Sequence, residues 1–432
     1  MARSLKVAVI GAGVAGLAAA RELQRESLQV VVFEKSHQLG GTWAYDARVE
    51  SDLLGVDPNR DVVHSSAYKS LKTNVPRVLM SFTDFKFGEK VYGDPRMYPG
   101  HVEVLKFLTD FASHFELTEL IRFNTLVTRV EVDDSDITEF VVESNTNGVI
   151  SVEVFDAVVV CNGHNTQPRL ATDIPGIKTW SRKQMHSHNY RVPEPFRDQI
   201  LNDWIVVVIG SGPSAVDISR DIATVAKEVH MSSRSPLVKV AKSDKFNNMW
   251  QHSKIEYISK DGLITFQDGF SIDADIILHC TGYKNHLPFL QTNGIVSVED
   301  KRIGPLYKHV FPPQLAPRLS FVGIPEKTLP IFIIECQSRW IAHALSAKVS
   351  LPSKDEMLSE VLKHYEDMKE KGLPEHSTHH IGFQLDYMEW MWAQTGMVIE
   401  KNIKDMIEYL IHCLMTVGLD GYMDLFFQKY GI

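Results

Sequence analysis

The feature that most constrains this chain is a glycine-spaced turn between two short apolar segments near its start. Residues 7–10 are apolar and β-branched enough to form a strand buried on both faces, and a G-x-G-x-x-G turn follows at residues 11–16. A helix is predicted over residues 17–24, then a second buried strand over residues 30–33 that ends at Glu34. This order of elements is typical of a dinucleotide-binding site. The glycines let a pyrophosphate approach the helix N-terminus, and the acid accepts hydrogen bonds from a ribose.

A second small-residue turn, GGTW at residues 40–43, lies shortly after Glu34. A plain NAD-binding domain has no need of this turn, whereas FAD is long and requires contacts well beyond its ADP half. We therefore predict FAD as the ligand of the first fingerprint, although a place in the core is the alternative for Trp43. The residues predicted to contact FAD in this stretch are Gly11, Ala12, Gly13, Val14, Ala15, Gly16, Glu34, Lys35, Gly41, Thr42 and Trp43.

The same order of elements recurs in the middle of the chain. An apolar run precedes GSGPSA at residues 210–215, and a helix is predicted over residues 216–226 and a strand over residues 228–231. Each half then passes through predicted hairpins to a buried strand that ends at a small-residue turn, Asn162-Gly163 in the first half and Thr281-Gly282 in the second. The sequence therefore predicts two nucleotide-binding domains of one architecture.

The second fingerprint differs from the first at the position that contacts the ribose. Its second strand ends in SSRS at residues 232–235, without an acid. A carboxylate would repel a 2′-phosphate, whereas arginine and serine donate hydrogen bonds to one, so NADPH is predicted; a solvated surface charge is the alternative for Arg234. The residues predicted to contact NADPH in this half are Gly210, Ser211, Gly212, Pro213, Ser214, Ala215, Ser233, Arg234, Thr281 and Gly282.

The motif order also predicts how the chain is divided. After Tyr283 the chain leaves the second domain and completes the first. The predicted fold is α/β, with two Rossmann-like domains, the second inserted in the first, and a helical C-terminal tail. Residues 1–165 and 284–432 are assigned to the FAD-binding domain, and residues 166–283 to the NADPH-binding domain. Residues 46–98 have little periodicity and are expected to form an irregular, functional region.

Composition excludes several kinds of partner. The chain of 432 residues carries a net charge of −9, and nucleic acid, which requires a basic surface, is not an expected partner. The cysteines form no C-x-x-C pair and no metal-ligand spacing, so a disulfide reductase is disfavoured and a cytoplasmic protein with reduced thiols is expected. These cysteines are Cys161, Cys280, Cys336 and Cys413.

Neither a membrane nor a metal is predicted. No signal or transit peptide is expected, because the first core strand begins by Lys6. The most apolar part of the tail, residues 409–419, is shorter than the ~20 residues that cross a bilayer, and a buried helix is predicted there. His376, His379 and His380 are interpreted as solvated loop histidines, since no carboxylate or cysteine stands at metal-ligand spacing beside them.

Several segments together resemble one family of flavoenzymes. GAGVAG, GGTW, GSGPSA, the LKTNVP of residues 71–76 and the stretch WSRKQMHSHNY of residues 180–190 resemble the flavin-containing monooxygenases over essentially the whole chain. MHSHNYR and the run over residues 303–311 are most similar to the plant S-oxygenating branch. Trp180 stands where the family motif has Phe, and Arg182 where it has Gly. Arginine adopts a positive φ only at a cost, so the turn geometry at Arg182 is left open.

The resemblance implies a mechanism and further site residues. In this family NADPH reduces FAD, oxygen adds to form a C4a-hydroperoxyflavin, and a soft nucleophile attacks its distal oxygen. Asn74 is implied as the catalytic residue at the flavin N5/C4a edge, and Pro76 as a residue that stiffens its loop. The remaining predicted FAD contacts are His64, Ser65, Ser66, Asn74, Val127, Cys161, Gly323 and Gln337, and the remaining NADPH contacts are Tyr68 and Tyr190.

The predicted function is S-oxygenation of a small thioether, such as an S-substituted cysteine, with NADPH and O2. N-oxygenation of an amine or alkaloid by the same intermediate remains the alternative, because both reactions need only a lone pair. A flavin-dependent reductase that passes electrons to a partner, and a nucleotide sensor without turnover, are alternatives of other classes. The exact substrate, the sulfoxide stereochemistry and the oligomeric state are left open.

Overall fold

A computed structural model describes residues 4–132, 139–197, 204–235, 240–382 and 385–431. By internal contacts the chain divides into two compact units. The first unit contains residues 1–44, 75–164 and 285–411, and the second contains residues 45–74, 165–284 and 412–432. These units are defined by contacts, whereas the domain boundaries given above were predicted from the order of the motifs. Those boundaries remain a prediction.

The described residues form the following helices and strands, in chain order within each class. The helices are α1 (Val14–Arg25), α2 (His101–His114), α3 (Pro213–Ile222), α4 (Pro330–Leu345), α5 (Lys354–Glu370), α6 (Leu385–Thr395) and α7 (Lys401–Tyr430). The strands are β1 (Lys6–Ile10), β2 (Gln29–Phe33), β3 (Ile121–Arg122), β4 (Thr125–Val132), β5 (Phe140–Thr146), β6 (Val149–Phe155), β7 (Ala157–Val160), β8 (Gln167–Pro168), β9 (Lys183–His186), β10 (Ile205–Ile209), β11 (Glu228–Ser232), β12 (Ala241–Lys242), β13 (Met249–His252), β14 (Ile255–Ile258), β15 (Leu263–Phe266), β16 (Ser271–Asp273), β17 (Ile276–His279), β18 (Tyr283–Lys284), β19 (Leu290–Gln291), β20 (Ser297–Glu299), β21 (Arg302–Gly304) and β22 (Leu319–Phe321).

The first unit is built on a parallel sheet in the order β22-β7-β1-β2-β3. Its central strands are β-branched and buried, as a sheet covered on both faces requires. In the meander of β4, β5 and β6, the first two strands pack one face into the same core cluster, whereas β6 contributes Phe155 and leaves its four aliphatic side chains exposed. The turn between β5 and β6 has positive φ at Asn147 and Gly148, which confirms the predicted hairpin.

The second unit repeats this plan with a sheet in the order β12-β13-β11-β10-β17-β9. Every neighbouring pair in it is parallel except β12 and β13. All strands of this sheet lie between β7 and β22 in the chain, so one parallel sheet is inserted into the connection of the other. The predicted α/β class with two Rossmann-like domains, one inserted in the other, and a helical tail is confirmed.

Two helices begin earlier than the apolar periodicity indicates. α1 begins at Val14 and α3 at Pro213, each directly after the glycine at its N-cap, rather than at residues 17 and 216. Their first turns consist largely of small or solvent-facing residues and therefore carry no apolar periodicity. α3 also ends at Ile222, short of the predicted residue 226.

Two predictions for the C-terminal region are wrong. Residues 409–419 lie in α7, which buries Leu410 and Cys413 but leaves Met415 82% exposed, so this part of the helix is buried on one side only. His379 is not solvated, because it is buried and its imidazole contacts the backbone of Ile303.

Within the described ranges, no helix is both long and apolar enough to cross a membrane.

A buried ion network joins α1 to α4 in the first unit. The side chain of Arg21 is 1% exposed, and its guanidinium donates to Glu335 and to Asp84, at 2.7 Å in each case. Glu335, which is fully buried, also accepts from the backbone N–H and the hydroxyl of Thr83. The fingerprint helix is therefore held by a cation whose removal would leave a buried carboxylate without its closest counter-ion.

We predict that Arg21→Met destabilises the protein by about 3–5 kcal/mol, because Glu335 keeps its desolvation penalty after losing its partner. The thermal unfolding midpoint of the FAD-loaded protein measures this loss. The control is Arg96→Met, which removes an arginine whose side chain is 65% exposed and paired with Asp94. Exposed pairs contribute at most about 1 kcal/mol, so equal shifts for the two variants would contradict the assignment.

Candidate functional site

The first fingerprint is closed by a backbone approach that only glycine permits. Gly11 has φ of +104°, and a Cβ at this position would lie 2.6 Å from the carbonyl oxygen of Cys161. A Cβ on Gly16 would lie 1.8 Å from the carbonyl oxygen of Gly11. Gly11 therefore permits the tight turn, and Gly16 permits the close packing of the helix against that turn.

Glu34 is fixed beside this turn at the end of β2. One carboxylate oxygen accepts from the N–H of Ala12 and the other from the N–H of Ser36, both at 2.8 Å. A carboxylate oxygen has two acceptor positions, so each keeps one for a ligand hydroxyl. Glu34 thus fits the predicted contact with a ribose diol.

The GGTW turn lies directly against the fingerprint, as the FAD prediction requires. The N–H of Gly40 donates to the carbonyl of Ala12 at 3.0 Å, and a Cβ on Gly41 would lie 3.0 Å from the Cα of Gly13. The N-cap of α1 is Gly13, with no side-chain cap and no acid in the first turn, so its N–H groups suit a phosphate. Trp43 is half-buried in a short 3₁₀ turn and is not a core residue.

Other predicted FAD residues of the first unit occupy two places. Gly323, at the end of β22, donates its N–H to Oε1 of Gln337 at 2.9 Å, and a Cβ on Gly323 would lie 3.7 Å from that of Ala15. These residues therefore meet beside the N-terminus of α1. Cys161, the residue directly after β7, lies next to the same turn, since its carbonyl faces Gly11. Val127 lies in β4 with its side chain in the core, so only its backbone is available to a ligand.

The second fingerprint repeats this geometry inside the second unit. Gly210 has φ of +133°, and a Cβ there would lie 2.3 Å from the carbonyl oxygen of Cys280. A Cβ on Gly212 would meet nothing within 4 Å, which leaves open space at the N-terminus of α3. Ala215 occupies the third position and is fully buried, and α3 has no side-chain cap and no acid in its first turn. This turn also fits a pyrophosphate.

The residues directly after β11 are a buried serine, Ser233, and an exposed cation, Arg234. The hydroxyls of Ser211 and Ser233 are 2.9 Å apart, and Ser233 also accepts from the N–H of Ser235. Ser233 therefore shapes the loop, while Arg234 is exposed next to it. A guanidinium at the end of this strand is suited to a 2′-phosphate, and that role remains a prediction.

Thr281 and Gly282 are held by the strands around them. The hydroxyl of Thr281 donates to the carbonyl of Arg169, and the carbonyl of Gly282 lies 2.9 Å from Nε2 of His186. Burial, reinforced by His279 and His188, lowers the pKa of His186 to about 3. The imidazole is therefore neutral at physiological pH and donates from Nε2, which fixes the turn without adding a charge.

A buried arginine that the sequence did not single out holds the irregular region of residues 45–74. Arg191 is 4% exposed, and its guanidinium donates to the carbonyls of Asp46 at 2.7 Å, Ser65 at 3.0 Å and His188 at 2.6 Å. These bonds fix the backbone that carries the predicted FAD residues His64, Ser65 and Ser66. Its only signal in the sequence is its place directly after the family motif.

Two motif residues act on the same region. Oδ1 of Asn189 accepts from the N–H of Glu50 at 2.8 Å, and Nε2 of His188 lies 2.9 Å from the carbonyl of Val63. Glu50 is also paired with Arg60 at 2.8 Å. Although burial disfavours its charged form, His188 and Arg60 keep the pKa of Glu50 below its ordinary value. The motif therefore serves here as an anchor for a loop.

The tyrosines predicted to contact NADPH bind the fingerprint helix instead of presenting free hydroxyls. Tyr68 donates to Asp217 at 3.4 Å, and Tyr190 donates to Asp221 at 2.5 Å. Asp221 also accepts from Ser70 at 2.8 Å. Burial and these aspartates raise the pKa of both phenols, so both hydroxyls stay protonated. Contacts between these tyrosines and NADPH remain predictions.

Asn74, the predicted catalytic residue, is the last residue of its segment of the second unit. It is exposed, and its carbonyl accepts from the hydroxyl of Tyr422 at 2.7 Å. It lines a cleft of about 100 Å³ whose wall includes Lys72, Asp217 and Pro213 of the NADPH fingerprint. The second unit thus brings Asn74 and the start of α3 to one cleft.

The departures from the family motif are accommodated without strain. Arg182 is not among the described residues with positive φ, and its guanidinium donates to the carbonyl of Ala274 at 2.7 Å and pairs with Asp273. Trp180 is buried in an apolar cluster, where an aromatic ring is sufficient. Among the described residues, no group of His, Cys, Asp and Glu could hold a metal ion.

The chain has two glycine-rich turns that fit a pyrophosphate, the first and second glycine cradles, one beside Glu34 and the other beside Arg234. Two such turns on one chain are typical of a flavoprotein that takes electrons from a nicotinamide cofactor. The sequence profile of the flavin-binding monooxygenase-like family matches residues 4–264 and 247–412, and the chain belongs to this family.

Relatives and solved structures agree with this assignment. The flavin-containing monooxygenase FMO GS-OX5 of Arabidopsis thaliana is 52% identical over 400 residues, which cover 91% of this chain and 85% of that protein. The structure of S-allyl-L-cysteine S-oxygenase from Allium sativum superposes with a TM-score of 0.90 at 45% identity, covering 99% of both chains. Tmm from Pelagibacter sp. strain HTCC7211 follows with a TM-score of 0.78 at 26% identity, covering 94% of this chain and 90% of Tmm.

The protein is therefore an NADPH-dependent flavin-containing monooxygenase, with FAD and NADPH as cofactors. Its substrates are O2 and a small molecule. The resemblance to the plant S-oxygenating branch is confirmed by these relatives.

We predict that Arg234→Ala raises the KM for NADPH by about tenfold or more, because a charged hydrogen bond to the 2′-phosphate is lost. The KM for NADH, which has no such phosphate, should stay close to the wild-type value. The control is Arg197→Ala, which removes another exposed arginine of the same unit. An equal change for the two nucleotides would show that Arg234 does not contact the phosphate.

Proposed function

We propose that the enzyme S-oxygenates a thioether, such as an S-substituted cysteine, to a sulfoxide. The observation that carries this proposal is the likeness to S-allyl-L-cysteine S-oxygenase from Allium sativum, at 45% identity over 99% of both chains. The Arabidopsis relatives, which bear the name GS-OX, support the same branch. We also propose a cytoplasmic location, in keeping with thiols that form no disulfide among the described residues.

The proposed reaction is balanced by the two cofactors and O2. A thioether, O2, NADPH and a proton give a sulfoxide, NADP⁺ and water: one oxygen atom forms the S–O bond with the sulfur lone pair, and the other leaves as water. FAD, when bound, accepts the hydride from NADPH and activates O2. The sulfur needs no deprotonation, so no general base is required for the substrate.

The protein's contribution is binding and orientation rather than proton transfer. Glu34 and the first glycine cradle would hold FAD, and the second cradle with Arg234 would hold NADPH. The carboxamide of Asn74 can donate one hydrogen bond and accept another without changing its protonation state. With FAD bound, the carboxamide of Asn74 would stabilise developing charge and limit the loss of activated oxygen as hydrogen peroxide.

A substrate panel tests the chemistry directly. The FAD-loaded enzyme, supplied with NADPH and O2, is incubated with S-substituted cysteines, other thioethers and tertiary amines, and sulfoxide, N-oxide and hydrogen peroxide are quantified. We expect sulfoxide to dominate with at least one S-substituted cysteine. Product from amines alone would replace this proposal with N-oxygenation, and equal turnover without oxygen would indicate a reductase.

We predict that Asn74→Ala retains FAD and oxidises NADPH but lowers sulfoxide formation by about a hundredfold to a thousandfold, the effect of losing one positioned hydrogen-bonding group. The missing product should be recovered as hydrogen peroxide. The control is Asn59→Ala, an exposed asparagine of the same segment. Wild-type coupling of NADPH to sulfoxide in Asn74→Ala would remove Asn74 from the mechanism.

A further inference from the structure

The last helix of the chain contributes to the surroundings of Asn74. α7 is interrupted at Gly418, whose φ of 66° and ψ of −166° are not helical. Glycine adopts this conformation at little cost, so residues 419–430 continue as a separate helical stretch, the terminal segment. No site residue was predicted in this tail, yet the structure places the terminal segment against the cleft at Asn74.

The tie between the terminal segment and Asn74 is a buried hydroxyl. Tyr422 is 3% exposed, and its hydroxyl donates to the backbone carbonyl of Asn74 at 2.7 Å. One turn further on, Phe426 is fully buried and anchors the segment. Asn74 itself is exposed and lines the cleft, so the bond from Tyr422 fixes the peptide group of a residue that is accessible there.

The direction of this hydrogen bond does not depend on pH in the physiological range. Burial raises the pKa of Tyr422, and the nearby Asp217 raises it further in spite of Arg220. The phenol therefore remains a donor, and the carbonyl of Asn74 can only accept. The hydrogen bond from the Tyr422 hydroxyl to the Asn74 carbonyl therefore has a single donor–acceptor direction.

The terminal segment also forms one wall of the cleft. Leu419 and Met423 line it together with Val216 of α3. At the rim Lys245 and Asp424 are 3.3 Å apart, but both side chains are more than half exposed, so this pair contributes little. The bond from Tyr422 to Asn74 is a direct polar contact, shown by the described residues, between the terminal segment and Asn74.

We propose that Tyr422 is a positioning residue for Asn74: its hydroxyl holds the loop so that the Asn74 carboxamide keeps the orientation that couples NADPH oxidation to oxygenation. The proposal rests on the function proposed above for Asn74. It extends the functional machinery to a helix near the end of the chain, far in sequence from both fingerprints.

The test is Tyr422→Phe in the full-length, FAD-loaded enzyme. Phenylalanine keeps the buried ring, so FAD content and the thermal midpoint should stay close to those of the wild type. The fraction of NADPH consumed that appears as hydrogen peroxide should rise about fivefold, as expected for the loss of one neutral hydrogen bond. Amide hydrogen exchange in residues 70–76, measured without NADPH, should accelerate by a similar factor.

The control is Tyr92→Phe, which removes a hydroxyl that donates to Asp110 at 2.6 Å in the first unit and should leave both readouts unchanged. Unchanged peroxide in Tyr422→Phe would overturn the proposal, whether or not the loop exchanges faster. The amount of hydrogen peroxide is compared with the amount of whichever oxygenated product the wild type forms. A wild type that oxygenates only amines would therefore overturn S-oxygenation, but the test of Tyr422 would remain valid. If Asn74→Ala couples NADPH oxidation to product as well as the wild type does, the role proposed for Asn74 itself is wrong.

Discussion

Each of the two sheets depends on a glycine inserted between the ends of two neighbouring strands. The N–H of Gly11 donates to the carbonyl of Phe33 at 2.8 Å, and the N–H of Gly210 donates to that of Ser232 at 2.9 Å. On the other side, the carbonyl of Cys161 or Cys280 occupies the place where a Cβ would stand. The turn is thus clamped by backbone alone, and the helix that follows starts in a fixed position with its N–H groups open to a phosphate.

The same frame accepts different ribose chemistry because one side chain at the strand end can change while the backbone does not. By sheet register, Glu34 and Ser233 occupy equivalent positions after β2 and β11. Glu34 bonds the N–H of Ala12, whereas Ser233 bonds the hydroxyl of Ser211. Both positions therefore still tie the strand end to the fingerprint. The serine does so without negative charge, so this position would not repel a 2′-phosphate beside Arg234.

The sequence predicted what is encoded locally. β1 and β2 were predicted to within one residue of their observed bounds, and the hairpin of β5 and β6 is one of those that local patterns predicted. Contacts between distant segments were not predictable: His379 is buried because it meets Ile303 far away in the chain, and Arg191 acts through backbone carbonyls, which leave no trace in residue identity. The link from Tyr422 to Asn74 is of the same kind.

The helix N-termini show why cofactor binding and folding are coupled in this architecture. α5 is completed by its own side chains, since Ser353 and Glu356 form a capping box and acids occupy the first turn. α1 and α3 have glycine at the N-cap and no acid in the first turn, because a capping carboxylate would occupy and repel the place of a phosphate. Their first N–H groups are thus left for a ligand to satisfy. A cofactor that binds only the folded chain then adds to its stability, so each fingerprint gains its full stability only when its dinucleotide is bound.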